Sequence, residues 1–171
     1  MQICLFMILV LFALVAVSDI VTRRVPHLFV WGVATLVLAL RLPFGQTAIA
    51  FSLATGLIVF ALLFIAYTRN AIGGGDVKLL TALSLGLPPI ETVHFIVMTA
   101  LAGGVVGLVY LGLARLHPVL RHGRDRFILR RLFIIECWRA RRYRTVPYAV
   151  AIAAGAASVL LPAMLPARFA L

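Results

Sequence analysis

Two aspartates carry the chemistry this chain has to offer. Its 171 residues hold five acids: Asp19, Asp76, Glu91, Asp125 and Glu136. Asp19 closes an apolar run that begins at Met1. Asp76 follows Gly73, Gly74 and Gly75 at the head of another, in the stretch NAIGGGDVKLL. An ionisable group at the edge of a membrane span is costly and therefore a functional candidate. Two carboxylates brought close cannot both ionise cheaply, so they share a proton over a wide pH range. One then takes a proton from water while the other donates a hydrogen bond to a substrate carbonyl. That is aspartic-protease chemistry, and it calls for no metal and no cofactor. The glycines would let the backbone bend and a substrate strand lie against Asp76 with no side chain between them. Each acid also has an ordinary reading, Asp76 as a helix N-cap and Asp19 as a partner for Arg23 one turn on.

Other chemistries lack their parts. His27, His94, His117 and His122 are scattered and form no zinc-binding pattern, and Cys4 and Cys137 belong to no CxxC pair. The glycine run lacks the spacing and the Ser/Thr of a phosphate-binding loop. A serine–lysine pair made of Ser84 and Lys78 stays open as a second hydrolytic arrangement.

The elements that must position the acids read as membrane helices. The chain is 64% hydrophobic and 12% charged, where a soluble domain has roughly a quarter of its residues charged. Cutting it into runs of about 20 apolar residues predicts spans over 1–17, 28–42, 47–67, 76–87, 90–114 and 146–165. The fourth is too short to cross without tilt or local thinning. The expected fold is an all-α polytopic bundle of about six transmembrane helices, a single domain over 1–171. A basic segment over 115–145, too charged to span, would lie at the interface between the fifth and sixth helices. Gly103 with Gly107 and Ala151 with Gly155, each pair four apart, predict close helix packing.

The net charge of +11 rests on arginine, with Lys78 the only lysine. In a soluble domain such a charge would suggest nucleic acid. Here the expected partner is anionic lipid and no nucleic acid, with the charges fixing topology. The connections after spans one, three and five hold 14 of the 16 basic residues, leaving Arg41 and Arg168 on the other side. The positive-inside rule puts those connections, and with them Asp19 and Asp76, at the cytoplasmic face. Asp19 would then sit at a helix C-terminus and Asp76 at a helix N-terminus. The macrodipoles would make Asp76 the ionised base and Asp19 the proton donor, with Lys78 adding to the bias if it turned toward Asp76.

GGGDVKLLTALSLGL closely resembles the second aspartate motif of the type IV prepilin peptidases, the GxGD aspartyl proteases. SDIVTRRVPH resembles their first motif, and VPYAVAIAAG the opening of their last helix. The three stretches fall in the family's order and cover nearly the whole chain. The resemblance implies that Asp19 and Asp76 are catalytic, that Gly73 and Gly75 are the motif's two glycines with Gly74 between them, and that Lys78 is the motif's lysine. It implies removal of a basic leader from prepilins or pseudopilins at the cytoplasmic face of a prokaryotic inner membrane, in pilus biogenesis. The missing CxxC motifs make the chain similar to the short peptidase-only type of Flp or tight-adherence pili, so methyltransferase activity is not expected. His27 departs from the asparagine usual at its place. Two other classes fit the residues: a proton-coupled transporter or channel subunit using the acids as relays, and a non-enzymatic pilus assembly scaffold.

Overall fold

Hydrocarbon offers no partner for backbone N–H and C=O groups, so an apolar chain within it must satisfy them internally. Among the described residues this chain does so with helices. The computed structural model describes residues 2–22, 26–120 and 148–164, the side chains of 113–120 excepted. The helices are α1 (Gln2–Thr22), α2 (His27–Arg41), α3 (Gly45–Thr68), α4 (Gly74–Ser84), α5 (Pro89–Leu120) and α6 (Tyr148–Met164), with a 3-10 turn at Leu42–Phe44. No strand occurs among the described residues. Among the described residues three stretches are long and apolar enough to cross a membrane: Gln2–Thr22, His27–Thr68 and Pro89–Gly112.

The expected spans meet this pattern with two differences, and α4 is short, as expected. Helix α1 runs on to Thr22, so Asp19 lies inside the helix and not beyond its end. Helix α5 continues to Leu120, so the opening of the expected interfacial segment is a continuation of α5. Residues 121–145 of that segment lie outside the described residues, as do Arg23 and Arg24. Helix α4 has 11 residues, about 16 Å of rise against a hydrocarbon core of roughly 30 Å.

Helix α6 is the hub: it packs against α5 and α1 and touches α4, while α2 packs on α1 and α4, and α3 on α4. The shared core holds Ile8 and Phe12 of α1, Val33 of α2, Leu79 and Leu83 of α4, Phe95 of α5 and Ile152 of α6, all fully buried. Of the two small-residue pairs, the one on α6 is buried in full. A methyl group placed on Gly155 would collide with Thr99 Oγ1 and lie 3.1 Å from the Phe95 carbonyl oxygen. On α5 only Gly103 meets a partner, the Tyr148 ring; a methyl on Gly107 would meet nothing within 4 Å.

The turns are built from residue types suited to them. Between α2 and α3, Pro43 lies in the 3-10 turn and Gly45 takes φ +87°, a left-handed value that a side chain disfavours. After α4 the chain leaves the helix at Gly86, pressed against Val37. The Arg41 Nε–H donates to the Gly86 carbonyl at 2.6 Å, and the guanidinium stands 5.7 Å from the centre of the Phe44 ring. The far end of α4 is thereby pinned to the far end of α2. A methyl on Gly86 would overlap the Val37 side chain and lie 2.8 Å from its carbonyl oxygen. Gly86→Ala should therefore destabilise the protein by roughly 1–3 kcal/mol, the usual cost of overpacking. Thermal unfolding in detergent measures this. Its midpoint falls for Gly86→Ala and holds for Gly104→Ala, where a methyl meets nothing within 4 Å; equal midpoints would contradict the close α2–α4 contact.

Candidate active site

Along α1, Leu5, Ile8, Phe12, Val15 and Asp19 recur at alternating steps of three and four residues, and all five are buried. That spacing keeps one face of a helix toward its neighbours. Asp19 is the last member of this core stripe, and its carboxylate points the way the apolar side chains do, with 8% of the residue exposed. A carboxylate so placed needs a hydrogen-bond donor. The Ala149 N–H supplies one, donating to Asp19 Oδ2 at 3.3 Å. Ala149 is in the first turn of α6, where backbone N–H groups have no partner within the helix.

Asp76 is brought in by a tight passage from α3 to α4. The Ala71 N–H donates to the Ala66 carbonyl and the Asn70 N–H to the Tyr67 carbonyl, both at 2.9 Å, with Asn70 at φ 57°. These two bonds around a left-handed residue make a Schellman ending, for which Asn is a tolerated substitute for Gly. The left-handed residue of this passage is Asn70 and not one of the three glycines. Gly73 is extended, at φ −71° and ψ 142°, and Gly74 and Gly75 are already helical. Here the glycines contribute smallness. A methyl on Gly73 would lie 3.1 Å from Asp76 Oδ2, and one on Gly74 would lie 3.2 Å from Tyr67 Cε2.

Gly73, not Asp76, is the N-cap of α4, with no side-chain cap bond. Its carbonyl accepts the Asp76 N–H at 3.1 Å and the Val77 N–H at 3.2 Å. Asp76 is thus the third helical residue, on the face that carries the buried Leu79, Leu80 and Leu83. Lys78 is exposed and lies about 200° further around the helix. It stands on the opposite side from Asp76, contrary to the expectation that it could turn toward that carboxylate.

Helices α1 and α4 both pack on α6, and the end of α1 and the start of α4 lie at the same end of the bundle. Asp19 is near enough to act electrostatically on Asp76. In this geometry the helix ends do not make the two carboxylates unequal. Asp76 stands in the first turn of α4, where the macrodipole favours the carboxylate, but Asp19 receives the first-turn N–H of α6 and is favoured in the same way. Two carboxylates that interact electrostatically titrate as a coupled pair, so neither role is assigned by the helix ends. The Ser84–Lys78 alternative dissolves: Ser84 is fully buried and its hydroxyl donates to the Leu80 carbonyl at 2.8 Å, while Lys78 is exposed. A cavity of about 210 Å³ lies at the opposite end of the bundle, lined by Leu5, Arg41, Glu91 and Leu160 among others, and neither aspartate reaches it. The feature that residue spacing did not single out is the Ala149 N–H, a backbone donor that leaves no mark on residue type.

A family model described as the type IV leader peptidase family matches residues 5–108, which include both aspartates, the three glycines and α2 to α4 entire. No curated protein and no solved structure gives a significant match. With a peptidase family's model covering well over half of its length, from the α1 core stripe through the glycine–aspartate passage and into α5, the chain belongs to the type IV leader peptidase family.

Proposed function

We propose that the protein is a membrane-embedded aspartyl endopeptidase that removes the basic leader of type IV or Flp-type prepilins at the cytoplasmic face of a prokaryotic inner membrane. The observation that carries this reading is the convergence of Asp19 and Asp76, 57 residues apart in sequence, at one end of the bundle. In the reactive state one carboxylate is ionised and the other protonated. The ionised one takes a proton from water as the oxygen attacks the scissile carbonyl carbon, and the protonated one donates a hydrogen bond to the carbonyl oxygen. Collapse of the tetrahedral intermediate breaks the C–N bond, and the leaving amine takes up a proton from the pair. Gly73 leaves open the side of Asp76 from which a substrate backbone can approach, since even a methyl there would stand 3.1 Å from the carboxylate.

The chain acts as a single domain of six crossings, α4 being a short one. Both aspartates face the cytoplasm, and the arginine-rich sequence after α5 has anionic lipid as its partner. Leader and enzyme face are both basic, so charge attraction between them does not drive recognition; both bind the same anionic surface. Peptidase activity without methyl transfer follows from the absence of CxxC pairs.

Three outcomes test the reading. Asp19→Asn and Asp76→Asn should each lower prepilin cleavage by roughly a hundredfold or more, within the range for losing an acid–base group, while the protein still accumulates in the membrane. Near-normal processing by either variant would remove the pair from the mechanism. Cleavage rate against pH should be bell-shaped. At low pH both carboxyls are protonated and no base remains; at high pH both are ionised and no donor remains. A rate that rises to a plateau with pH would mean a single carboxylate acts alone. Single cysteines at Asn70 and Gln46, both exposed, should label from opposite sides, Asn70 from the cytoplasm. Labelling of both from one side would overturn the arrangement of crossings.

A further inference from the structure

We infer that Tyr148 is a positioning residue for the carboxylate pair: its ring, seated in the notch that Gly103 leaves on α5, sets the first turn of α6 so that the Ala149 N–H meets Asp19. The inference rests on the aspartyl reading above.

Three features of the structure support it. First, the seat is close-fitting. A methyl group on Gly103 would lie 2.6 Å from Tyr148 Cε2, 3.1 Å from Cζ and 3.2 Å from the hydroxyl oxygen. Only glycine admits the ring at that distance. The neighbouring Gly104 and Gly107 face nothing within 4 Å, so α5 meets α6 through a single notch at this level. Second, the notch is one of two. Seven residues along α6, Gly155 receives Thr99 and Phe95 of α5. The two contacts run antiparallel, a side chain of α6 entering α5 at one end and side chains of α5 meeting α6 at the other. Together they fix both the rotation and the axial position of α6. Third, Tyr148 is adjacent to Ala149, whose N–H reaches Asp19 Oδ2 at 3.3 Å. It also stands near enough to Asp76 for that carboxylate to act on its phenol. A bond of 3.3 Å is already near the long end for N–H···O, so a small rotation of the first turn breaks it. Tyr148 therefore acts on Asp19 through the backbone of the next residue.

The test uses the full-length protein in detergent with a purified Flp-type prepilin as substrate, measuring kcat and the pH dependence of cleavage. Tyr148→Ala should lower kcat by roughly tenfold to a hundredfold, the range for misplacing a catalytic group by about an ångström. It should also move the acid-side limb of the pH profile upward by about one unit, because a lost N–H bond disfavours the charged carboxylate and not the neutral one. Simple loss of folded protein would lower the rate without moving that limb. Tyr148→Phe keeps the ring atoms that fill the notch and should keep most of the rate. Gly103→Ala should mimic Tyr148→Ala, and the double variant should be no worse than either single one, since both remove the same contact. If Tyr148→Ala fails to accumulate, Gly103→Ala carries the measurement. Normal kcat with an unmoved limb in Tyr148→Ala or Gly103→Ala overturns the inference, and so does a loss in Tyr148→Phe equal to that in Tyr148→Ala. Cleavage by the Asp19→Asn or Asp76→Asn variants would instead overturn the aspartyl reading, so the two failures are distinct.

Discussion

A carboxylate inside an apolar bundle must find hydrogen-bond donors or give up its charge. Asp19 continues the buried stripe of Leu5, Ile8, Phe12 and Val15 and so cannot turn away to water. The start of α6 has N–H groups with no partner in their own helix. Each element supplies what the other lacks, and their contact at Ala149 spans 130 residues of sequence. Much of the remaining packing holds that meeting in place. Helix α5 fixes α6 through Gly155 and Gly103, and α2 holds α1 and α4 at a set separation.

Helix α4 solves a different problem. It brings a second carboxylate to the same end of the bundle. Its far end is pinned, with Gly86 against Val37 and its carbonyl on Arg41, and Glu91 lies near enough to act on that guanidinium. Its near end is set by the Schellman turn at Asn70 and by Tyr67 lying over Gly74. Between these fixed ends, 11 residues leave little freedom for Asp76 to move along the helix axis. The exposed side of Gly73 then gives access to its carboxylate from outside the core.

The chain's family is one of leader peptidases. On the aspartyl reading proposed above, two carboxylates and a water suffice for hydrolysis, and the protein's main contribution is to place them. That placement comes from three helices held by close backbone approaches. A single methyl group at Gly86, Gly103 or Gly155 is therefore expected to matter more than a larger change on the lipid-facing surface, where Leu57, Phe51 and Leu108 stand exposed.

By itself the sequence determined the family and most of the elements, and it singled out the acids as candidates. Five acids in an apolar chain, one of them behind three glycines, mark the carboxylates by their cost. Pro26, Pro43 and Gly45 punctuate α2 and α3 closely enough that their limits are readable. Where punctuation is missing the limits are not: Ile20 and Val21 carry α1 past Asp19, and the Arg115–Leu120 stretch carries α5 onward, because charge alone does not end a helix. Which side of a helix faces its neighbours was also hidden. In a soluble helix the outer face is polar and reveals the inner one. Here Ile3, Phe6 and Met7 are as apolar as Leu5 and Ile8, so the stripe ending in Asp19 emerges only from packing. Tertiary structure alone decided that Lys78 faces away from Asp76, that Asn70 and not a glycine takes the left-handed turn, and that a backbone N–H of α6 holds Asp19. The physical reason is common to all three: the direction of a side chain and the donor capacity of a backbone depend on where a helix begins and what lies against it. Neither is a property of residue type.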